Sequence, residues 1–112
     1  MNARDIKTLE KISSHIKRIQ IYMKNIDSLD DFDNNSLVKD AIVFNLLQIG
    51  ELSNKKLTDE FKKKHDTIPW TQIYGLRNRI VHDYDNIHSI TVYNTITQDL
   101  LELDKEIEML LI

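Results

Sequence analysis

Two stretches at opposite ends of the chain carry the same apolar rhythm. Leu9, Ile12, Ile16, Ile19, Met23 and Ile26 recur at alternating spacings of three and four, and so do Tyr93, Ile96, Leu100, Leu103, Ile107 and Leu110. Such spacing places each set on one stripe of an α-helix. A strand, whose side chains alternate between two faces, cannot present either set together. Each stripe has to be covered, either inside a bundle or in a coiled coil between chains. The adopted reading is the intramolecular core of a bundle.

The rest of the chain fits that reading. The first helix is expected from about Ala3 to Asn25, with Lys and Arg over much of its remaining surface. Asp27 to Ser36 is acidic and polar and reads as a loop offering N-caps. In the next helix Leu37, Val38, Ala41, Ile42, Phe44, Leu46, Leu47, Ile49 and Leu52 cover more than one face, as expected of a central helix. Gly50 lies inside it at a cost of up to ~1 kcal/mol relative to Ala, which points to another backbone, a ligand or a mild kink there. Lys55 to His65 reads as the end of that helix or a short separate one. Pro69 suits the first turn of a new helix, with Trp70, Ile73 and Leu76 on its apolar side. Asp83 to Ser89 reads as a connection. In the last helix Asp99, Glu102, Asp104, Glu106 and Glu108 are expected to face outward. The expected fold is all-α, a compact bundle of four to five helices in one domain over residues 1–112.

Composition removes several function classes. Two Gly and one Pro argue against a turn-rich β fold and against a Gly-rich phosphate loop, and the absence of Cys removes disulfides, thiolate metal sites and thiol catalysis. No N-terminal stretch resembles a targeting segment, and no apolar run approaches the ~20 residues of a membrane span. The expected location is therefore the cytoplasm, with no membrane partner. Net charge is −3, but Lys55 to Arg79 holds seven basic and three acidic residues, a local excess of 7 − 3 = +4. That region can meet a polyanion, or be an ordinary solvated lysine face.

The densest chemistry lies in Gly75-Leu76-Arg77-Asn78-Arg79-Ile80-Val81-His82-Asp83-Tyr84. On a helix, Leu76 and Ile80 share the buried side, and Asn78 and His82, four apart, lie over one another. The Asn78 amide is then placed to orient the His82 ring, and Arg77 can reach a group bound beside the imidazole. These are the parts of a phosphodiester cleavage site. A guanidinium grips phosphate bidentately, and an imidazole, with an ordinary pKa of ~6.5, serves as acid or base. No metal is required when an RNA 2′-hydroxyl is the internal nucleophile. The same residues are also compatible with a helix surface, with His82 favoured at a helix C-terminus by the macrodipole. His82, Asp83, Asp85 and His88 lack a metal-site spacing, so no metal or cofactor is expected. His15 and His65 read as solvent-facing.

Arg77, four residues, His82, one residue and Tyr84 together resemble the Arg-x4-His-x-Tyr motif of HepT-like toxins, ribonucleases of the helical HEPN superfamily. Asp40-Ala41-Ile42-Val43-Phe44 with Leu46-Leu47-Gln48-Ile49-Gly50-Glu51 is similar to the family's second-helix signature. Ile68-Pro69-Trp70 with Ile73 and Gly75-Leu76-Arg77-Asn78 resembles its approach to the motif, and Thr97, Asp99-Leu100 and Leu103 fit its last helix. Ser53-Asn54 depart from it, standing where small apolar residues are common. The resemblance covers nearly the whole chain. It implies a homodimer with both motifs in a shared cleft, and metal-independent endoribonuclease activity with tRNA a plausible substrate. It also implies the toxin half of a type II toxin–antitoxin pair. On it, Arg77, Asn78 and His82 are catalytic, and Tyr84 is the site at which a partner nucleotidyltransferase antitoxin adds AMP to silence the enzyme. Glu51 and Arg79 are possible supporting groups. The alternative is a catalytically inactive helical binding partner of a nucleotidyltransferase. A purely structural dimerising bundle would leave the polar residues without a role.

Overall fold

The first helix, α1 (Ala3–Tyr22), starts where the Asn2 side chain accepts a hydrogen bond from the Asp5 N–H at 2.8 Å. Its stripe is driven wholly inside: Leu9, Ile12 and Ile16 are 0% exposed and Ile19 is 1% exposed. A computed structural model describes residues 1–112. In it α1 packs along α3 (Ser36–Lys55) and also meets the C-terminal helix, so the stripe is intramolecular core, not a seam between chains. The helix ends at Tyr22, three residues before the expected Asn25.

The stretch read as a loop contains a short helix, α2 (Leu29–Asp33), capped by the Ser28 hydroxyl accepting from the Asp31 N–H at 3.1 Å. Its purpose is Phe32, fully buried, with its ring centroid 5.8 Å from that of Tyr93. A lone aromatic among aspartates has no periodicity, so sequence spacing passes over it. α3 is the central helix, packing against α1 on one side and on the other against the helix that carries Arg77. Lys55 to His65 resolves into a turn and a separate helix, α4 (Asp59–Lys64). The start of α1 ties that turn down. Buried Asp5 accepts from the Thr58 N–H at 2.9 Å and hydroxyl at 2.8 Å, and Arg4 donates to the Lys55 and Lys56 carbonyls that end α3.

α5 (Trp70–Asp83) follows Pro69, which occupies the N-cap position instead of the first turn. The Trp70 indole N–H donates to the His65 carbonyl at 3.0 Å and so fixes the entry to this helix. A 3₁₀ turn (Tyr84–Asn86) then leads to α6 (Ser89–Asn94), a π turn (Thr95–Asp99) and α7 (Leu100–Leu110). These last elements run on as one rod that buries Val92, Ile96, Leu100, Leu103 and Ile107. Four long rods, with α2 and α4 as short additions, thus make the expected all-α bundle. No helix is long and apolar enough to cross a membrane.

Three expectations about polar residues are corrected. Asp104 does not face outward: it is 6% exposed, where it accepts from Lys17 at 2.6 Å and from Ser13 at 3.1 Å. Asp104, and then Glu108, hold the Lys17 ammonium above its ordinary pKa. His15 is half-buried, with Nδ1 2.8 Å from the Oδ1 of buried Asn45. Because the Asn45 amide nitrogen donates to Ala41, its oxygen is left as acceptor, which assigns the proton to His15 Nδ1. His65 is half-buried as well, its ring centroid 4.5 Å from that of Phe61.

Candidate active site

The candidate residues are set by how closely α5 approaches α3. A Cβ built on Gly50 would stand 2.5 Å from the Arg77 Cβ, closer than any real pair of such atoms. Gly50 therefore exists to admit the stem of Arg77, which resolves the helix-interior glycine as a close approach by a side chain. The two helices run antiparallel, Gly50 facing Arg77 at one level and Asp40 facing Tyr84 at another.

Once past Gly50, the Arg77 guanidinium is held between two acceptors. Its Nε donates to a Glu51 carboxylate oxygen, which one terminal nitrogen also meets as an ion pair, and the other terminal nitrogen donates to Asn78 Oδ1 at 2.8 Å. Its carbon lies 5.7 Å from the centre of the Tyr74 ring. Lys55, 2.9 Å from the other Glu51 oxygen, and then Arg77 keep the Glu51 carboxyl below its ordinary pKa, so it stands ionised opposite the guanidinium. Hydrogen bonds to Glu51 and Asn78 take two of the five guanidinium N–H groups and leave others for a ligand.

Asn78 thus differs from its expected role. It bonds to Arg77 instead of orienting His82, because the long guanidinium reaches the amide first. His82 stands exposed on the last turn of α5. Tyr84 opens the 3₁₀ turn and donates its hydroxyl proton to Asp40 of α3. Burial first, and then the Asp40 carboxylate, push the Tyr84 phenol up to about 12. Asp40 is the partner that local spacing could not reveal, since it lies 44 residues from Tyr84. Arg79 is not brought to this face. It is exposed on the opposite side of α5, lining a groove shared with α7. Leu37 and Phe44, three residues before and four after Asp40 on α3, and Val81, four after Arg77 on α5, are exposed apolar side chains. No group of three or more His, Asp or Glu side chains is placed to hold a metal ion.

The structure is a helical bundle in which α5 and the turn after it carry Arg77, Asn78, His82 and Tyr84, with Arg77 and Asn78 bonded to each other and Tyr84 to Asp40. The sequence profile described as "Ribonuclease HepT-like" matches residues 12–110. The chain is 31% identical over 110 residues to "Putative RNase MJ1380" of Methanocaldococcus jannaschii, covering 97% of this chain and 99% of that one. It is 28% identical over 102 residues to "Probable ribonuclease HepT" of Thermococcus cleftensis, covering 91% of each. No solved structure gives a significant match. The chain belongs to the HepT-like ribonuclease family.

Proposed function

We propose that this chain is the toxin of a toxin–antitoxin pair, a metal-independent endoribonuclease in which Arg77 and His82 carry the chemistry. The observation that carries this reading is the state of Arg77: a guanidinium preset by Glu51 and Asn78, with N–H groups left over. Those groups grip the scissile phosphate and neutralise charge growing on its oxygens. His82, reachable from solvent, takes the proton of the RNA 2′-hydroxyl. The 2′-oxygen then attacks the adjacent phosphorus, and the bond to the 5′-oxygen breaks as that oxygen gains a proton. The products are a 2′,3′-cyclic phosphate and a 5′-hydroxyl. Asn78 and Glu51 act by positioning Arg77.

Two copies join through the face bearing Leu37, Phe44 and Val81, which sets two motifs in one cleft. Tyr84 is the regulatory site. AMP added there by a nucleotidyltransferase antitoxin releases the hydroxyl from Asp40, and it brings a phosphate charge and bulk beside Arg77. The protein acts in the cytoplasm. The test is cleavage of total RNA and tRNA in EDTA, with end groups analysed and intact mass recorded. Cyclic-phosphate ends from unmodified protein are expected. Silence from protein of unmodified mass would favour the second reading, an inactive binding partner of a nucleotidyltransferase. An AMP-sized mass increase would make Tyr84→Phe the protein to assay.

A further inference from the structure

The face of α5 opposite Arg77 has no part in that chemistry, yet it borders a cavity. A groove of about 600 Å³ opens between α5 and the α6–α7 rod, inside the ~300–1,000 Å³ range of ligand sites. Its floor is apolar, built from Leu46 and Ile49 of α3, Ile73 and Leu76 of α5, and Leu100 and Leu103 of α7. Ile73 and Leu76 are only half-buried, so the floor is unfinished core. Gly75 lies on the α5 wall, and nothing stands within 4 Å of where its Cβ would be. The rim is charged asymmetrically, with Asp99, Glu102 and Glu106 along the rod and Arg79 along α5.

We propose that this groove docks one helix of a partner protein, a helix with an apolar stripe and lysine or arginine along the edge that meets α7. Length supports a helix. Gln72 to Arg79 extends about 10 Å along α5, the reach of three anchors at i, i+4 and i+7 on a docked helix. Bare backbone at Gly75 lets such a helix approach closely. Charge selects its edge, since three carboxylates on one rim attract cations and repel a phosphate backbone. A second copy of this chain does not supply the matching surface. Its basic helix is α1, whose apolar stripe is buried. The large apolar side chains α1 exposes are Ile6 at one end and Ile21 and Tyr22 at the other, at least 15 positions apart in sequence, about 22 Å along the helix. The inference stands apart from the ribonuclease reading, because Arg77, His82 and Tyr84 do not line the groove.

The test uses the full ¹⁵N-labelled chain and two synthetic helical peptides of about 18 residues, long enough to hold helix in water. Both carry the same leucine stripe, one edged with Lys and the other with Glu. Saturable amide shifts at Gly75, Leu76, Thr95 and Asp99 with the Lys-edged peptide are expected, and binding of the Glu-edged peptide roughly tenfold weaker. A Glu102→Gln/Glu106→Gln variant, altered only at exposed positions, should keep its spectrum and lose most of that discrimination. Equal affinity for the two peptides, no binding, or shifts confined to the Arg77 face would overturn the proposal. So would groove shifts that grow with the concentration of the chain alone, which would name a second copy as occupant, or groove shifts on adding tRNA.

Discussion

The α1 side of α3 and the α5 side of α3 are joined by different kinds of contact. Between α1, α3 and α7 the interface is mostly apolar packing, with Leu9, Ile12, Ile16, Ile42 and Ile107 all excluded from water and the polar pairs His15–Asn45 and Lys17–Asp104 beside them. Between α3 and α5 the register rests on individual contacts: Gly50 under the Arg77 stem, Glu51 on its guanidinium, and Asp40 on the Tyr84 hydroxyl. On its far side α5 borders an open groove. The apolar side supplies stability, which is spread over many interchangeable contacts. The polar side supplies placement, which depends on a few atoms. A bundle divided this way can set functional side chains on its least buried helix while the core holds the fold.

Substitutions on the two sides should therefore fail differently. A large effect is expected from Arg77→Ala, a loss of roughly 100- to 1,000-fold in RNA cleavage rate, with the unfolding midpoint lowered only modestly as the contacts to Gly50 and Glu51 go. Next comes Ile12→Ala, at a 0% exposed position, which should remove about 2–5 kcal/mol of stability and leave the cleavage rate of the folded fraction unchanged. Denaturant titration beside a cleavage assay separates these outcomes. Gly50→Ala bears on both sides at once. Helix propensity alone predicts a gain of up to ~1 kcal/mol, but the new Cβ meets the Arg77 stem. A net loss of about 1–3 kcal/mol is expected, with weaker RNA binding as α5 shifts. A stabilised Gly50→Ala protein would show that α5 does not sit this close to α3.

Asp40→Asn is the mildest change. Burial is the larger cause of the raised Tyr84 phenol and persists in the variant, so its titration should move only part of the way from about 12 toward the ordinary value. Ultraviolet titration of phenolate reads this directly. Because the folded chain favours the protonated phenol, this contribution to stability is complete below the ordinary tyrosine pKa of ~10 and is lost as pH rises toward about 12. The variant should lose that dependence in part.

How much of this was legible in sequence follows the same division. The α1 stripe and the C-terminal stripe are periodic, and both were readable as core. Asp104 was not, because its burial depends on Lys17, 87 residues away. Phe32 was missed because one aromatic sets no period. Arg77, Asn78, His82 and Tyr84 are legible as one chemistry-rich stretch, whereas Glu51 enters only as a possible supporting group. Their pairings were not readable. Helical spacing placed Asn78 over His82, whereas the structure gives it to Arg77. Arg79 is a possible supporting group by the family resemblance, and the structure turns it toward the groove, since residues two apart on a helix do not share a face. Local rhythm reports which face a residue occupies, and contacts between helices decide what that face meets.

The central claim, that the exposed face of α5 carries ribonuclease chemistry independent of the core, is tested most directly by His82→Ala. Its unfolding curve and its cleavage of tRNA in EDTA are measured on one preparation, with unmodified mass confirmed. The account predicts an unchanged unfolding midpoint and a cleavage rate lower by roughly 100- to 10,000-fold. Cleavage at the parent rate by a fully folded His82→Ala protein would contradict it.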